Sequence, residues 1–379
     1  MGLKSRTKST KNPPIFSHEF VTQNHEDIIS CIAMVFILGL MFQATSPFAT
    51  KFIALQHNVT IENENEPPIF LYTNGIQDLC VIFFYFLICI VIHAIVQEFI
   101  IDKINKRLHL SKTRHSRFTE SGQLLVFYLV SVAWGGHIIY REKILTNITS
   151  LWEDYPDSHT QMMFMYKFFF VTQISYWLHT FPELYFQKVR KEDWANRIQY
   201  ATLYLIFITA AYVTNMTRVA LVLLVIHYTV EAVVHASRLL HFADKTELAA
   251  NGFVLFNVLF TLARLSTIVV AVLTFWYGLA LSDKPGLDLA TGNFNTYLVR
   301  VNCLAAICLL QAWMMWHFIT YHLRRRREQA PAKPVLKKVT AAKQDKKPKE
   351  KKSKKRDEED MSELPEVDQN TKKQLRQRK

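Results

Sequence analysis

The chain has 379 residues, 50% of them hydrophobic and 13% aromatic, with only 10 Gly and 12 Pro. Those figures exclude a collagenous or wholly disordered polymer. The net charge of +13 is concentrated at one end: residues 324–379 hold 21 Lys or Arg against 10 Asp or Glu, which leaves the body before them close to neutral. A greasy body with a basic appendage excludes a single soluble domain and points to a membrane protein.

A membrane-crossing helix needs about 20 mostly apolar residues. Eight stretches meet that need in chain order: 28–48, 79–99, 123–140, 162–181, 198–214, 219–239, 253–281 and 297–323. Polar residues interrupt the fourth and fifth. Backbone groups in hydrocarbon must bond internally, so the segments are expected as helices, and the fold class as all-α, a polytopic membrane helix bundle. The first span follows 27 largely polar residues and reads as an uncleaved anchor rather than a signal peptide. Met1-Gly2 lacks the myristoylation pattern because position 6 is Arg6. Cys31, Cys80, Cys89, Cys303 and Cys308 all sit in apolar stretches, where Cys acts as a small hydrophobe, so neither a structural disulfide nor a thiolate metal site is expected.

Basic residues in short loops set the orientation. Lys4, Arg6, Lys8 and Lys11 precede the first span. The 100–121 loop carries Lys103, Lys106, Arg107, Lys112, Arg114 and Arg117, and the 187–197 loop carries Lys188, Arg190, Lys191 and Arg197. With eight spans these loops and the tail share one side, which puts both termini in the cytosol. The intervening loops are acidic, with Glu62, Glu64 and Glu66 in one and Glu153, Asp154 and Asp157 in another. The sequons at Asn58 and Asn147 fall in those luminal loops and are expected glycosylation sites. A third, at Asn215, sits in a turn too near the bilayer for modification.

Ionisable residues at membrane depth are functional candidates by default. His227, Glu231 and His235 recur at a spacing of four, which places them on one helical face, and Arg264 lies in the next span. Antiparallel neighbours would bring Glu231 and Arg264 within about one turn in depth, so the two are expected to pair or share a polar cavity. One straight helix cannot converge tetrahedrally on zinc, so this group reads as a hydrogen-bonded polar seam, with no metal expected. His93, His137, His179 and Arg300 lie near span ends or at undetermined depths and read as interface anchors rather than catalytic groups. Neither a P-loop nor a dinucleotide fingerprint is present, and no cofactor is expected.

Several ordered motifs carry a family resemblance. They are Ser9-Thr10-Lys11-Asn12-Pro13-Pro14, Ser17-His18-Glu19-Phe20, Asp102-Lys103-Ile104-Asn105 and Glu120-Ser121-Gly122-Gln123-Leu124. Tyr176-Trp177-Leu178-His179 follows, running on through Phe181-Pro182-Glu183-Leu184-Tyr185-Phe186-Gln187-Lys188, and Gly292-Asn293-Phe294-Asn295 completes the set. From about residue 8 to residue 327 the chain resembles the translocating chain-associated membrane proteins (TRAM), of the TLC superfamily that also holds the ceramide synthases. The resemblance implies four regions: a cytosolic tail over 1–27, a TRAM-type region with two spans over 28–116, a TLC domain with about six over 117–326, and a disordered basic tail over 327–379.

The same kinship implies where the synthases' chemistry would fall. Their adjacent histidines align with Tyr200 and Ala201, their Leu-His-Asp segment with Ile226-His227-Tyr228, and their second Asp with Glu231. Acyl transfer to an amine needs a group to handle the acyl chain and the proton. A phenol with a reference pKa near 10 and an alanine do not supply one, so no enzyme activity is expected.

The resemblance implies a non-enzymatic accessory factor of the endoplasmic-reticulum membrane. Its partners would be the Sec translocon, the signal sequences and transmembrane segments of nascent chains, and membrane lipids. A lipid-binding or lipid-sensing protein is the alternative, and an acyltransferase of ceramide-synthase type a weaker one. Arg324–Arg327 are expected to anchor the last span at the anionic cytosolic face. The run Lys343–Arg356, followed by acidic Asp357–Asp360, is expected to be disordered and could touch the ribosome electrostatically. The final Arg376-Gln377-Arg378-Lys379 is neither a dilysine nor a KDEL retrieval signal.

Overall fold

The structure is a computed structural model that describes residues 17–61, 68–187, 189, 191–282 and 284–329. The readings of Lys4, Arg6, Lys8 and Lys11, of Glu62, Glu64 and Glu66, of Lys188 and Arg190, and of the basic tail from residue 330 onward lie outside the described residues.

Helices dominate, in the order α1 (His18–Gln23), α2 (His25–Gly39), α3 (Ser46–Ile53), α4 (Asp78–Val96), α5 (Asp102–Leu108), α6 (Lys112–Arg141), α7 (Phe164–Phe186), α8 (Lys191–Val213), α9 (Thr217–Phe242), α10 (Thr246–Ala271) and α11 (Tyr297–Gln329). A π-helical stretch, Gln97–Ile101, joins α4 to α5, and another, Val272–Gly278, extends α10. Among the described residues, five helical segments are long and apolar enough to cross a membrane: Asp78–Leu108, Arg114–Arg141, Thr217–Phe242, Thr246–Leu281 and Tyr297–Glu328. Their outward faces are apolar. Leu79, Ile92 and Phe99 on the first segment, Val258 and Leu265 on α10 and Leu309 and Trp316 on α11 are all exposed. Contiguous apolar surface on this scale, around a core that holds Lys, Arg, Glu and His, is the pattern of a helix bundle with lipid as its solvent.

The expected first span, 28–48, is not one helix. It breaks at Gly39, and the chain restarts as α3 with Pro47 in the first turn, where a missing N–H costs nothing. The expected fourth and fifth spans correspond to α7 and α8, of 23 residues each. Neither is apolar enough to qualify on composition. In α7 the reason is position: Lys167, Gln173, Ser175, His179 and Glu183 are buried among neighbouring helices, so this helix need not offer lipid an apolar face.

The all-α bundle fits, and it carries one small antiparallel sheet of three strands, β1 (Asn58–Ile61), β2 (Ile69–Tyr72) and β3 (Met162–Met163). Asn58 pairs with Tyr72 and Ile61 with Ile69, while Leu71 pairs with Met163. The strands are two to four residues long, too short to give a period-two signal.

The helices pack around α9, which has α6 along one side and α10 along the other, while α7 lies between α4 and α8. Small residues allow the close approaches. A Cβ on Gly135 of α6 would stand 2.6 Å from Val225 Cγ2, and one on Gly252 of α10 would stand 2.3 Å from Ser237 Oγ. Close backbone contact through small residues is how helices associate where no hydrophobic force drives them together.

At the end of the bundle that carries the sheet, side chains tie the loops down. Asn74 Nδ2 donates to the Tyr212 carbonyl (2.8 Å) and to Asn215 Oδ1 (2.9 Å). Asn215 Nδ2 donates in turn to the Gly292 carbonyl at 2.9 Å. Gly292 has φ +69, and a Cβ there would meet Asn215 Nδ2 at 2.5 Å, so both backbone conformation and space call for glycine. Tyr155 Oη donates to the Thr214 carbonyl (2.7 Å) and receives the Phe294 amide (3.1 Å). Arg218 donates to the carbonyls of Ser150 (2.8 Å) and Ser158 (3.1 Å).

Candidate functional site

The sequence-derived seam lies at the meeting of α8, α9, α10 and α11. Residues four apart on α9 stack on one face, so His227, Glu231 and His235 follow one another down the helix. His227 Nε2 is 3.7 Å from Glu231 Oε1, an i,i+4 pair. Arg264, near the middle of the Thr246–Leu281 segment, reaches across from α10. Its Nη2 lies 2.7 Å from His227 Nδ1 and its Nη1 donates to Gln311 Oε1 of α11 at 2.9 Å. An arginine carries only donors, so the Nδ1 facing it presents a lone pair. Its guanidinium carbon also stands 4.9 Å from the Phe260 ring centroid, within cation–π range.

Arg264 and Glu231 therefore flank His227, which touches both. The expected sharing of a polar site by these two residues takes the form of a three-residue chain across two helices. Arg264 is 2% exposed and Glu231 4%. The His227 side chain, at 15%, is where the chain meets the surface. His235 is buried beside Tyr128, with ring centroids 5.6 Å apart.

An aromatic hydroxyl cluster that sequence reasoning missed continues the seam toward α6 and α7. Tyr128 Oη is 3.1 Å from Tyr200 Oη, which is 3.1 Å from Tyr204 Oη. Trp177 Nε1 donates to Tyr228 Oη (3.0 Å), Tyr228 Oη donates to Gln173 Oε1 (3.0 Å), and Gln173 Nε2 donates to Ser131 Oγ (2.9 Å). The Tyr204 ring lies 5.6 Å from that of His227 and stacks on Trp177 at 4.0 Å. Read singly, each of these residues is an ordinary aromatic of a membrane helix. The available signal was the recurrence of Tyr200 and Tyr204 at i,i+4 opposite Tyr228. Tyr200 joins this cluster from α8, and the neighbouring Ala201 is buried.

The other sequence-marked residues fall elsewhere. Asn58 and Asn147 are exposed at the sheet end, and Thr149 Oγ1 donates to Asn147 Oδ1 at 2.6 Å. Asn215 is 2% exposed and held on both sides of its amide. His137 is exposed. His93 and His179 are not interface anchors: His179 is 1% exposed and its ring lies 5.7 Å from that of His93. The reason is that α4 and α7 run on beyond their apolar runs, which leaves both residues inside the helix–helix contact.

Comparison with known proteins places this geometry. Residues 117–320 match the TLC domain model. The chain is 46% identical over 344 residues to translocating chain-associated membrane protein 2 of Mus musculus, covering 90% of each, and 45% identical over 328 residues to its Homo sapiens counterpart, covering 86% of each. A ceramide synthase of Gibberella moniliformis is 25% identical over 254 residues, 66% of this chain and 56% of the synthase. The chain is therefore a multi-pass membrane protein that belongs to the translocating chain-associated membrane proteins and carries their TLC domain.

Proposed function

We propose that this protein is a non-enzymatic accessory factor of the endoplasmic-reticulum Sec translocon, which contacts signal sequences and transmembrane segments of nascent chains and assists their translocation and insertion. The observation that carries the reading is the Arg264–His227–Glu231 chain at mid-depth, reaching the surface at His227. A charged residue costs about 2.5–3.5 kcal/mol at the centre of an inserting helix. A helix wall that solvates part of one such group lowers that cost for a marginally hydrophobic client, and no covalent step is needed.

In this reading the chain crosses the membrane eight times, with α7 and α8 as internal crossings and α2–α3 as a broken first one. The sheet end is luminal, both termini are cytosolic, and the basic tail lies on the ribosome's side of the membrane. Lipid binding is the second reading, favoured by the TLC domain and the 25% identity to a ceramide synthase.

Photocrosslinkers placed in stalled nascent chains test the proposal. Adducts are expected on α9 and α10 around His227 and Arg264, strongest for clients with a polar residue in the segment. Adducts confined to other surfaces would remove the seam from the mechanism. A phospholipid or sphingolipid copurifying at the seam and exchanging without effect on insertion would favour the second reading.

A further inference from the structure

His93 on α4 and His179 and Glu183 on α7 meet at the end of the bundle away from the sheet. His179 and Glu183 are four residues apart and share a helix face. One ligand atom from each of the three residues lies within 4.8 Å of the others. His179 and Glu183 are buried, at 1% and 6% exposure. Neither carboxylate oxygen of Glu183 has a partner at good hydrogen-bond geometry among the described residues, and the donor beside it is the Gln187 amide. A buried carboxylate left in that state is costly, and such groups are as a rule paired or bound to metal.

The histidines are turned for ligation. His179 Nδ1 contacts the Tyr176 carbonyl, which can only accept, so Nδ1 carries the proton and Nε2 keeps its lone pair. That is the arrangement by which a ligating imidazole is usually oriented from its far side. His93 Nε2 lies 2.8 Å from Gln187 Nε2, a donor, so it too presents a lone pair. Gln187 is exposed at the end of α7 and has room to withdraw.

We propose that His93, His179 and Glu183 bind a divalent transition metal of the zinc class, which clamps α4 to α7. Two imidazoles and one carboxylate suit zinc with a fourth position left for water, whereas calcium and magnesium favour all-oxygen sets. Ligands bound at about 2.0–2.1 Å stand roughly 3.4 Å apart, so side-chain rotation must close the present spacing, at most 4.8 Å, by up to about 1.4 Å. A second clamp already joins the same helices: Lys167 Nζ is 2.6 Å from Asp78 Oδ1. Asp78 and His93 are 15 positions apart on α4, about 22 Å along the helix, and Lys167 and Glu183 are 16 apart on α7. The two polar contacts thus sit at matching heights on parallel helices.

The test uses the full chain in detergent, stripped with chelator and then equilibrated with zinc or, as a spectroscopic probe, cobalt(II). Wild-type protein is expected to retain one metal ion per chain by elemental analysis, to show a cobalt d–d band and to gain thermal stability with metal. Loss of an outer-shell partner alone weakens metal sites by about 10–100-fold, so Glu183→Gln and His179→Asn are expected to bind more than about 100-fold more weakly, while His137→Asn binds as wild type does. Glu183→Gln keeps side-chain shape, and a monodisperse elution profile separates metal loss from misfolding. A wild-type chain that takes up no metal would overturn the proposal. So would equal stoichiometry and cobalt spectra in wild type, Glu183→Gln and His179→Asn.

Discussion

Lys167 and Asp78 form a buried ion pair, Nζ to Oδ1 at 2.6 Å, that fastens the TLC domain to the helices before it. The lysine also donates to the carbonyls of Gln56 and Thr73, both at 2.7 Å. Asp78 Oδ2 accepts from the Gly75 amide (2.9 Å) and from Tyr212 Oη (2.8 Å). One cation and one anion thereby hold two loops, α4, α7 and α8 in register.

Breaking a buried pair by removing one member strands the other charge and costs about 3–5 kcal/mol. Lys167→Met is expected to destabilise by that amount, and Lys167→Met with Asp78→Leu by less than the sum of the two single changes. Thermal unfolding of the purified variants in detergent checks this. Strict additivity would show that the two charges do not act as a pair.

The seam makes a parallel prediction. Glu231→Gln should destabilise wild-type protein more than it destabilises an Arg264→Leu variant, with a coupling of about 0.5–3 kcal/mol typical of residues in one network. His227→Leu should abolish the coupling, because His227 stands between the two charges. Equal effects of Glu231→Gln in both backgrounds would dissolve the chain into independent contacts.

How much of this was visible in the sequence follows from the range of each signal. The seam was legible because His227, Glu231 and His235 are local to one helix and ionisable residues stand out in apolar surroundings. The Lys167–Asp78 pair was not, because its members lie 89 positions apart and no periodicity links them. Lys167 interrupts the apolar run of α7, and it is buried in the ion pair that ties α7 to α4. His93 and His179 were misplaced because apolar run length understates helix length: α4 passes through a π-helical stretch into α5 without a break. The break at Gly39 and Pro47 was in plain view, but it lies in a stretch whose mean hydropathy still reads as a span.

Sequon accessibility gives an orientation test. Asn58 and Asn147 are exposed at the sheet end, whereas the Asn215 amide is buried and fully bonded. Two glycan mobility shifts are expected in microsomes, one removed by Asn58→Gln and the other by Asn147→Gln. Glycans on sites engineered into the 100–121 loop would invert the proposed topology, whereas a shift removed by Asn215→Gln would contradict the burial of that amide.

His159 is expected to make the sheet-end loop pH-sensitive. It is 2% exposed, and burial, with the Arg218 guanidinium nearby, lowers its pKa to about 3 from an ordinary value near 6.5. The unfolded loop therefore takes up a proton that the folded loop refuses. Stability is full above pH 6.5 and falls as the pH drops from there toward 3, by at most about 1.4 kcal/mol per pH unit. Hydrogen exchange over residues 148–160 should quicken across that window, and His159→Gln should flatten the response. Exchange that does not change below pH 6.5 would show that the loop does not depend on a neutral imidazole.

The central claim is that this bundle solvates passing polypeptide and transforms nothing. Its most direct measurement is translocation into proteoliposomes holding the Sec channel with or without the purified chain, using signal sequences graded in hydrophobicity. The account predicts strong dependence on the chain for weakly hydrophobic signals, little for strongly hydrophobic ones, and loss of the effect in the Glu231→Gln, Arg264→Leu double variant. Equal translocation of every signal with and without the chain, or product formation from acyl-CoA and a sphingoid base by the pure protein, would contradict it.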